Sequence, residues 1–588
     1  MAAEFPRSRW VAAWRGYLLG LLLVFSSQPL YAQGSSIPGV ILNAPEAVRE
    51  ILKAHFVLPD KLLLNENERA TFLRRARREI PELLATEGFF SATVKLRRVI
   101  SPGVLELDVA TGPLTRVAKV EIDVRGDLQR EVQRVRAVHQ TWLLPAGSAF
   151  RSAAWDQAKS ELLATVARTD FATARLVTSE AEVDVAAAGA RLHVVIDSGP
   201  RYVFGDLKLS GLERYEPLLV ERQSTFKPGA PYRRSQLLDF QAKLQKLPQF
   251  SSIIVQLDTA TAEPTADGSL RAPVNVQVVE AQSRKLAFGI GYSTNHGVRN
   301  EINYQSYNFL NQAWMLKTQA VAEQNRQALN LALDTPPNPL GYWLAWRSGM
   351  EKTDIQGLQT RRDKFGVTRS RIQFDIETGI GLNWQQERRI PLGGIHETDQ
   401  ALVLDWHWYR RVVDNPLAPM DGEVTELRVG GASQAALSDQ NFVRSHARHQ
   451  SWIPLGANDV LLLRAEGGYT ASASRLGIPQ EYLFRVGGTQ TVRGFTFQSL
   501  GFEEGGATVG GRVMSTLSTE YTHWFGNWGA ALFADAGGAA DTVPTLKLST
   551  GYGFGARWKS PVGPLALDFA RGKGEPAPRI HFAIAVAF

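Results

Sequence analysis

The chain has no cysteine among its 588 residues. That absence excludes disulfide frameworks, thiolate zinc sites, iron–sulfur clusters and cysteine nucleophiles together. No run of 18 apolar residues occurs, so no helical membrane span is written into the sequence. A strong charge of one sign is missing too: 65 basic residues stand against 58 acidic ones, a net charge of +7. Apart from Arg74, Arg75, Arg77 and Arg78, the basic residues are scattered, which argues against a nucleic-acid partner. That short arginine cluster reads as a solvated helix face. There is no Gly-x-Ser-x-Gly elbow, no His-Glu-x-x-His pair and no Walker loop. His446 and His449 are three apart, which on a strand puts them on opposite faces. We therefore expect no enzyme activity, no catalytic residue, no metal ligand and no cofactor.

What is present begins at the N-terminus. Arg7, Arg9 and Arg15 precede a nine-residue apolar core, Tyr17 to Phe25, and Ser26, Ser27 and Gln28 follow, with a small residue, Ala32, before Gln33. Basic, then apolar, then small is the order of a secretory signal peptide, expected over 1–32.

Three related units follow. The first carries Gly88-Phe89-Phe90-Ser91-Ala92, then Val104 to Val109, closing at Gly112-Pro113. The second carries Asp170-Phe171-Ala172, then Leu192 to Ile196, closing at Gly199-Pro200; the third carries Gln249-Phe250-Ser251, then Pro273 to Val278. The Phe anchors Phe90, Phe171 and Phe250 lie 81 and 79 residues apart. Units of that size, with helices between strands, can each hold a small α+β core. Their expected bounds are 33–113, 114–200 and 201–283.

From Arg284 onward helical periodicity gives way to period-2 alternation. From Ile372 to Trp384 the sequence reads as one long strand: Ile372, Phe374, Ile376, Thr378, Ile380, Leu382 and Trp384 share a face opposite Gln373, Asp375, Glu377 and Asn383. Phe582, Ile584, Val586 and Phe588 alternate with alanines to the last residue. Strands of soluble sandwiches average five or six residues. Alternation this long suits a membrane β-barrel, apolar toward lipid and polar toward the lumen, which closes so that lipid meets no unpaired backbone. The barrel is expected over 284–588.

One segment interrupts the alternation: Arg485-Val-Gly487-Gly488-Thr-Gln-Thr-Val492-Arg493-Gly494-Phe495. Paired glycines permit a tight turn, and Arg493 presents a rigid five-donor fork. Farther on, Phe533-Ala-Asp535-Ala-Gly537 offers a lumenal acid, and Glu520 stands on the intervening strand. Arg493 paired with Asp535 or with Glu520 would latch a loop inside the barrel.

Repeats, barrel and these motifs together resemble the outer-membrane assembly-factor superfamily, which includes BamA, the two-partner secretion transporters and the translocation and assembly module subunit TamA. The resemblance implies a barrel of 16 antiparallel strands behind three POTRA domains. It implies that Val492, Arg493, Gly494 and Phe495 form a loop tip held by Phe533, Asp535 and Gly537, with Glu520 as a second acid. It also implies insertion or export of client proteins, such as autotransporters, through a lateral gate between first and last strands. That gate would comprise Leu286, Phe288 and Ile290 on one side and Ile584, Val586 and Phe588 on the other, with positions near 288 and 584 facing each other. Three repeats are most like the TamA branch, since BamA typically has five and two-partner transporters two. A TamA-like member implies these partners: a TamB-like inner-membrane-anchored protein spanning the periplasm, unfolded outer-membrane clients, and outer-membrane lipid. The implied location is the bacterial outer membrane, with the POTRA domains in the periplasm. The alternative reading is a two-partner secretion transporter for one dedicated exoprotein.

Overall fold

The computed structural model describes residues 40–59, 64–101, 104–560 and 563–587. The expected signal peptide and Phe588 lie outside the described residues. The chain forms two compact units. One gathers the chain to Ala167 with Thr173–Gly199; the other gathers Arg168–Ala172 with the chain from Pro200 onward.

The first unit contains two small α+β modules. In each, a strand leads into helices and two further strands, and the last strand becomes the sheet centre. In the earlier module Val104–Ala110 pairs parallel with Val40–Asn43 and antiparallel with Thr93–Ser101. Parallel neighbours need a long crossover, and the helices Glu46–His55 and Glu66–Thr86 supply it. The longer helix buries Phe72, Ala76, Ile80 and Leu84, one stripe at four-residue spacing that covers the sheet. In the later module Gly189–Asp197 lies between Arg116–Arg125 and Arg175–Asp184 in the same arrangement.

The second unit opens with a third module of that order, in which Leu270–Glu280 lies between Tyr202–Ser210 and Phe250–Leu257. Its core packs Phe204, Phe240, Phe250 and Val276. The repeated Phe is buried at Phe171 and Phe250, whereas in the earliest module Phe89 packs on the core and Phe90 stacks on Phe150.

A closed antiparallel barrel of 16 strands follows. Its strands are β1 (Arg284–Ser293), β2 (Gly297–Phe309), β3 (Trp314–Glu323) and β4 (Arg326–Asp334). Next come β5 (Tyr342–Ile355), β6 (Leu358–Gln373), β7 (Ile376–Pro391) and β8 (Glu397–Val413). Then β9 (Gly422–Ala432), β10 (Phe442–Pro454), β11 (Asp459–Ser472) and β12 (Val513–Phe525). The last four are β13 (Trp528–Ala540), β14 (Ser549–Ser560), β15 (Gly563–Gly572) and β16 (Arg579–Ala587).

Outward positions carry Phe288, Ile290, Ile380, Leu404, Leu532 and Phe554, all more than half exposed, as a lipid-facing band requires. Trp528 and Trp558 stack at 5.0 Å, and Trp314 meets Trp346 at 5.6 Å, near one end of the barrel. That end carries the third module, whose Gln249 and Gln223 amides donate to the carbonyls of Ala313 (2.7 Å) and Pro337 (2.8 Å) in barrel turns. Tryptophans there form an interfacial belt.

The expected single strand from Ile372 to Trp384 is instead a hairpin. β6 ends at Gln373, Phe374 and Asp375 turn with φ of +51° and +62°, and β7 starts at Ile376. Both turn residues sit in the left-handed region that two-residue hairpins demand. Ile372 is thereby paired with Glu377, across the wall from the outward face of Ile380 and Leu382. Asp375 is a turn residue and not a lumenal acid.

The closing seam is short. Among the described residues β1 pairs β16 through five residue pairs, from Gly289 with Ala587 to Ser293 with Ala583. Ile584 therefore lies opposite Tyr292, and Val586 opposite Ile290, so the expected facing of 288 and 584 is out of register.

Candidate functional site

Residues 473–512 connect β11 to β12 and fold back into the barrel. Two limbs of this loop pair with each other at Phe484 with Gly511 and at Val486 with Leu500. Between them Gly487 and Gly488 take φ of +114° and +93°, turning the chain so that the Gly488 amide donates to the Val492 carbonyl (3.1 Å). The tip that results is dry: Val492 and Phe495 are buried with Phe484, Val486 and Met514.

Arg493 is 4% exposed and meets three acids from three strands. Its Nε and Nη2 donate to the two oxygens of Asp535 on β13 (2.7 and 2.9 Å), a fork-on-carboxylate pair. Its backbone N–H adds a third bond to Asp535 (3.0 Å). Its Nη1 reaches Glu520 on β12 (2.5 Å) and Asp568 on β15 (3.3 Å). Ser518 donates to Asp535, and the guanidinium lies 3.4 Å from the Phe533 ring centroid. Arg557 on β14 bridges Glu520 (2.9 and 2.7 Å) and Asp568 (2.5 Å), so two guanidiniums serve three carboxylates. The next residue is held as well: the Gly494 amide donates to Nε2 of His581 on β16 (2.9 Å), which requires that nitrogen to be unprotonated.

The backbone approaches closely enough to demand glycine at two places. Gly494 has φ of +91°, and a Cβ there would stand 2.4 Å from the Gly572 amide nitrogen. A Cβ on Gly551 would stand 1.8 Å from the Arg493 carbonyl oxygen. The tip is thus seated in a notch of β14 and β15 that any side chain would fill.

A second anchor holds the returning limb against the opposite wall. Phe502–Glu504 and Ala507–Val509 form a small hairpin, and Ala507 and Val509 bury against Leu358. Glu504 accepts from Arg389 of β7 (3.2 and 3.0 Å) and from Arg475 of the loop itself (2.8 Å). Arg389 is 2% exposed and also pairs with Glu397 and Asp399 of β8. Backbone bonds from Gly506 to Leu392 (2.7 Å) and from Thr508 to Gln356 (3.0 Å) complete the attachment.

A family model described as the Omp85 superfamily domain matches residues 279–588. The chain belongs to the Omp85 superfamily. Among solved structures, this Omp85 chain is similar to BamA from Haemophilus ducreyi lacking POTRA domains 1–3. That match has a TM-score of 0.66 at 16% identity and covers 80% of this chain and 100% of that one, a likeness of fold. CdiB from Acinetobacter baumannii aligns with a TM-score of 0.48 at 12% identity, over 88% of this chain and 98% of that one. The α+β modules and the 16-stranded barrel fit this superfamily.

Of the residues expected at the latch, the structure brings all eight together: Val492, Arg493, Gly494, Phe495, Glu520, Phe533, Asp535 and Gly537 meet at the loop tip. Arg493 joins Asp535 and Glu520 at once, where either had been expected. Asp568, Arg557 and His581 were not foreseen. Each is a polar residue in an alternating strand with no motif around it, and parity alone would have placed it in the lumen. Leu286, Phe288 and Ile290 face outward on β1, while Ile584 and Val586 lie on β16.

Glu504→Gln is expected to loosen the second anchor while sparing the tip. Arg389 keeps Glu397 and Asp399, so the loss is that of one charged hydrogen-bonding partner, about 1–3 kcal/mol. Limited proteolysis of detergent-solubilised protein should then cut near 502–509 before any cut near 493. Unchanged cleavage would show that the backbone bonds alone hold this limb.

Proposed function

We propose that this chain assembles client proteins into the outer membrane through the seam between β1 and β16, and that it belongs to the TamA branch. The observation that carries this reading is the seam itself. Among the described residues β16 is held by five residue pairs on the β1 side and five on the β15 side, whereas β6 and β7 share sixteen. Among the described residues, Leu286 and Phe288 of β1 have no partner on that edge.

Parting five pairs at about 1 kcal/mol net each loses on the order of 5 kcal/mol. In lipid the loss is larger, because each freed backbone group has no water to bond. A client strand that replaces β16 against β1 restores those bonds by β-augmentation, so opening is coupled to client pairing. Alternating Ala287, Gly289 and Gly291 on the lumenal face of β1 weaken packing at the place where the exchange occurs. No covalent bond is broken at any step.

In this reading the three modules are POTRA domains spanning 33–113, 114–200 and 201–283, and they lie in the periplasm. Their sheet edges offer docking places for unfolded clients and for a TamB-like inner-membrane-anchored partner. Three modules support the TamA branch over a two-partner transporter.

Depleting the protein and quantifying outer-membrane proteins tests this, combined with cross-linked capture of partners from solubilised membranes. We expect loss of several unrelated barrel or autotransporter clients and recovery of an elongated inner-membrane-anchored protein. Loss of a single exoprotein, with every other outer-membrane protein unchanged, would instead establish the two-partner transporter.

A further inference from the structure

A cavity of about 450 Å³ lies between the plug loop and the barrel wall. Four guanidiniums line it: Arg326, Arg362 and Arg444 from the wall, and Arg485 from the loop. The carboxylates that line it are already engaged. Glu351 accepts from Arg326 (2.7 Å), Glu466 pairs with His446 (2.8 Å), and Glu481 lies 3.2 Å from Arg362. Arg362 is further bound to Glu387 by two hydrogen bonds (2.8 and 2.6 Å). Arg326 and Arg362 are therefore neutralised.

Arg444 and Arg485 are not. Arg444 lies over the Phe484 ring at 4.8 Å, and its Nε is buried without an acceptor. Arg485 donates to the Thr508 carbonyl (3.2 Å), which carries no charge. Neither forms an ion pair among the described residues. Arg444 also lines a neighbouring cavity of about 440 Å³ together with Lys364, another cation with no ion pair among the described residues.

Two guanidiniums with no carboxylate in contact among the described residues, one on the wall and one on the loop, thus face the same confined space. In an environment less polarisable than bulk water each is opposed by a nearby like charge, Arg428 for Arg444 and Arg362 for Arg485, and attracts any oxyanion that fits against its fork. We propose that this cavity is an oxyanion site, taking a phosphate-like ion or a carboxylate that bridges Arg444 to Arg485. The bound anion ties the plug loop to the wall at a third point, separate from Arg493 and from Glu504. The inference stands on the cavity alone and holds whatever the seam does.

Thermal unfolding of the full chain in detergent, titrated with inorganic phosphate and with chloride at matched ionic strength, tests it. Phosphate should raise the midpoint saturably, as a ligand specific to the folded state does, and chloride should not. Arg444→Gln and Arg485→Gln should each weaken the apparent phosphate affinity by about tenfold or more. Without phosphate, either change should raise the midpoint slightly, because a like-charge repulsion is removed. A merely structural arginine would lower it.

An acidic hexapeptide separates the sources of the anion. If it displaces phosphate, a polypeptide carboxylate can occupy the site; if it does not, the site serves the free ion. Equal shifts with phosphate and chloride, or a phosphate shift that survives both substitutions, overturn the proposal.

Discussion

An Arg493→Ala chain is expected to keep its barrel and release its plug. Removing the guanidinium leaves Asp535, Glu520 and Asp568 within one buried cluster, with Arg557 as their remaining cation among the bonds described above. A single close pair attracts by about 4 kcal/mol at an effective dielectric near 20, and desolvation offsets much of that in the intact site. Deleting one partner is different, because the desolvation of the others stays: breaking a buried pair typically removes about 3–5 kcal/mol. We expect a loss of that size by denaturant titration of the folded protein in detergent. New protease cleavage near residues 484–500 should accompany it. Arg493→Lys should fall between, since an ammonium keeps the charge but cannot match both Asp535 oxygens at once. Gly551→Ala is the sharper control, because it leaves every ionic group in place and obstructs only the seat of the Arg493 carbonyl. It should release the tip with a smaller loss of barrel stability. If Arg493→Ala and Gly551→Ala both leave the loop protected, the latch holds nothing.

Much of this architecture is legible in the sequence, and what is not has physical causes. Period-2 alternation marked the barrel because lipid and lumen impose opposite demands on successive residues. The same alternation hid the hairpin at Phe374 and Asp375. A two-residue turn keeps the apolar–polar rhythm while reversing the chain, and no Asn-Gly or Asp-Gly pair announced it. The face assigned to Ile372 was wrong for that reason, although Ile376 to Trp384 were placed on the correct one. The strand number came from resemblance and not from periodicity, which does not reveal how many strands close.

The latch shows a similar division. Arg493 stood out because glycines surround it, and Asp535 because a small-residue motif frames it. Asp568 and Arg557 lie 75 and 64 positions beyond Arg493 with no motif of their own, and only closure of the barrel makes them neighbours. Arg389 stands in the charged stretch Glu387-Arg388-Arg389, which carries no motif, yet it is among the most deeply buried side chains of the described residues. Long-range electrostatic clusters inside a barrel are properties of shear and register, which a linear pattern does not encode.

Cysteines placed at Ile290 and Val586 should abolish client assembly when oxidised and restore it when reduced. The two positions are direct partners across the β1–β16 seam. Paired residues in an antiparallel ladder have Cα atoms about 4.5–5.5 Å apart, within the span a disulfide accepts. The native chain has no cysteine, so the bridge would have no competitor and each single substitution is its own control. The bridge leaves the ladder intact, and the oxidised protein should retain the heat-modifiable gel migration of a folded barrel. What it removes is exchange: β16 can no longer leave the β1 edge for an incoming strand. If opening is the step that admits clients, assembly should fall at least about tenfold, since a covalent bond exceeds the roughly 5 kcal/mol that holds five backbone pairs. A pair at Tyr292 and Ile584, also in register, should behave alike, whereas Phe288 with Ile584 should not bridge without backbone movement. Assembly at the native rate in a fully oxidised Ile290–Val586 bridge would mean that clients do not pass through this seam.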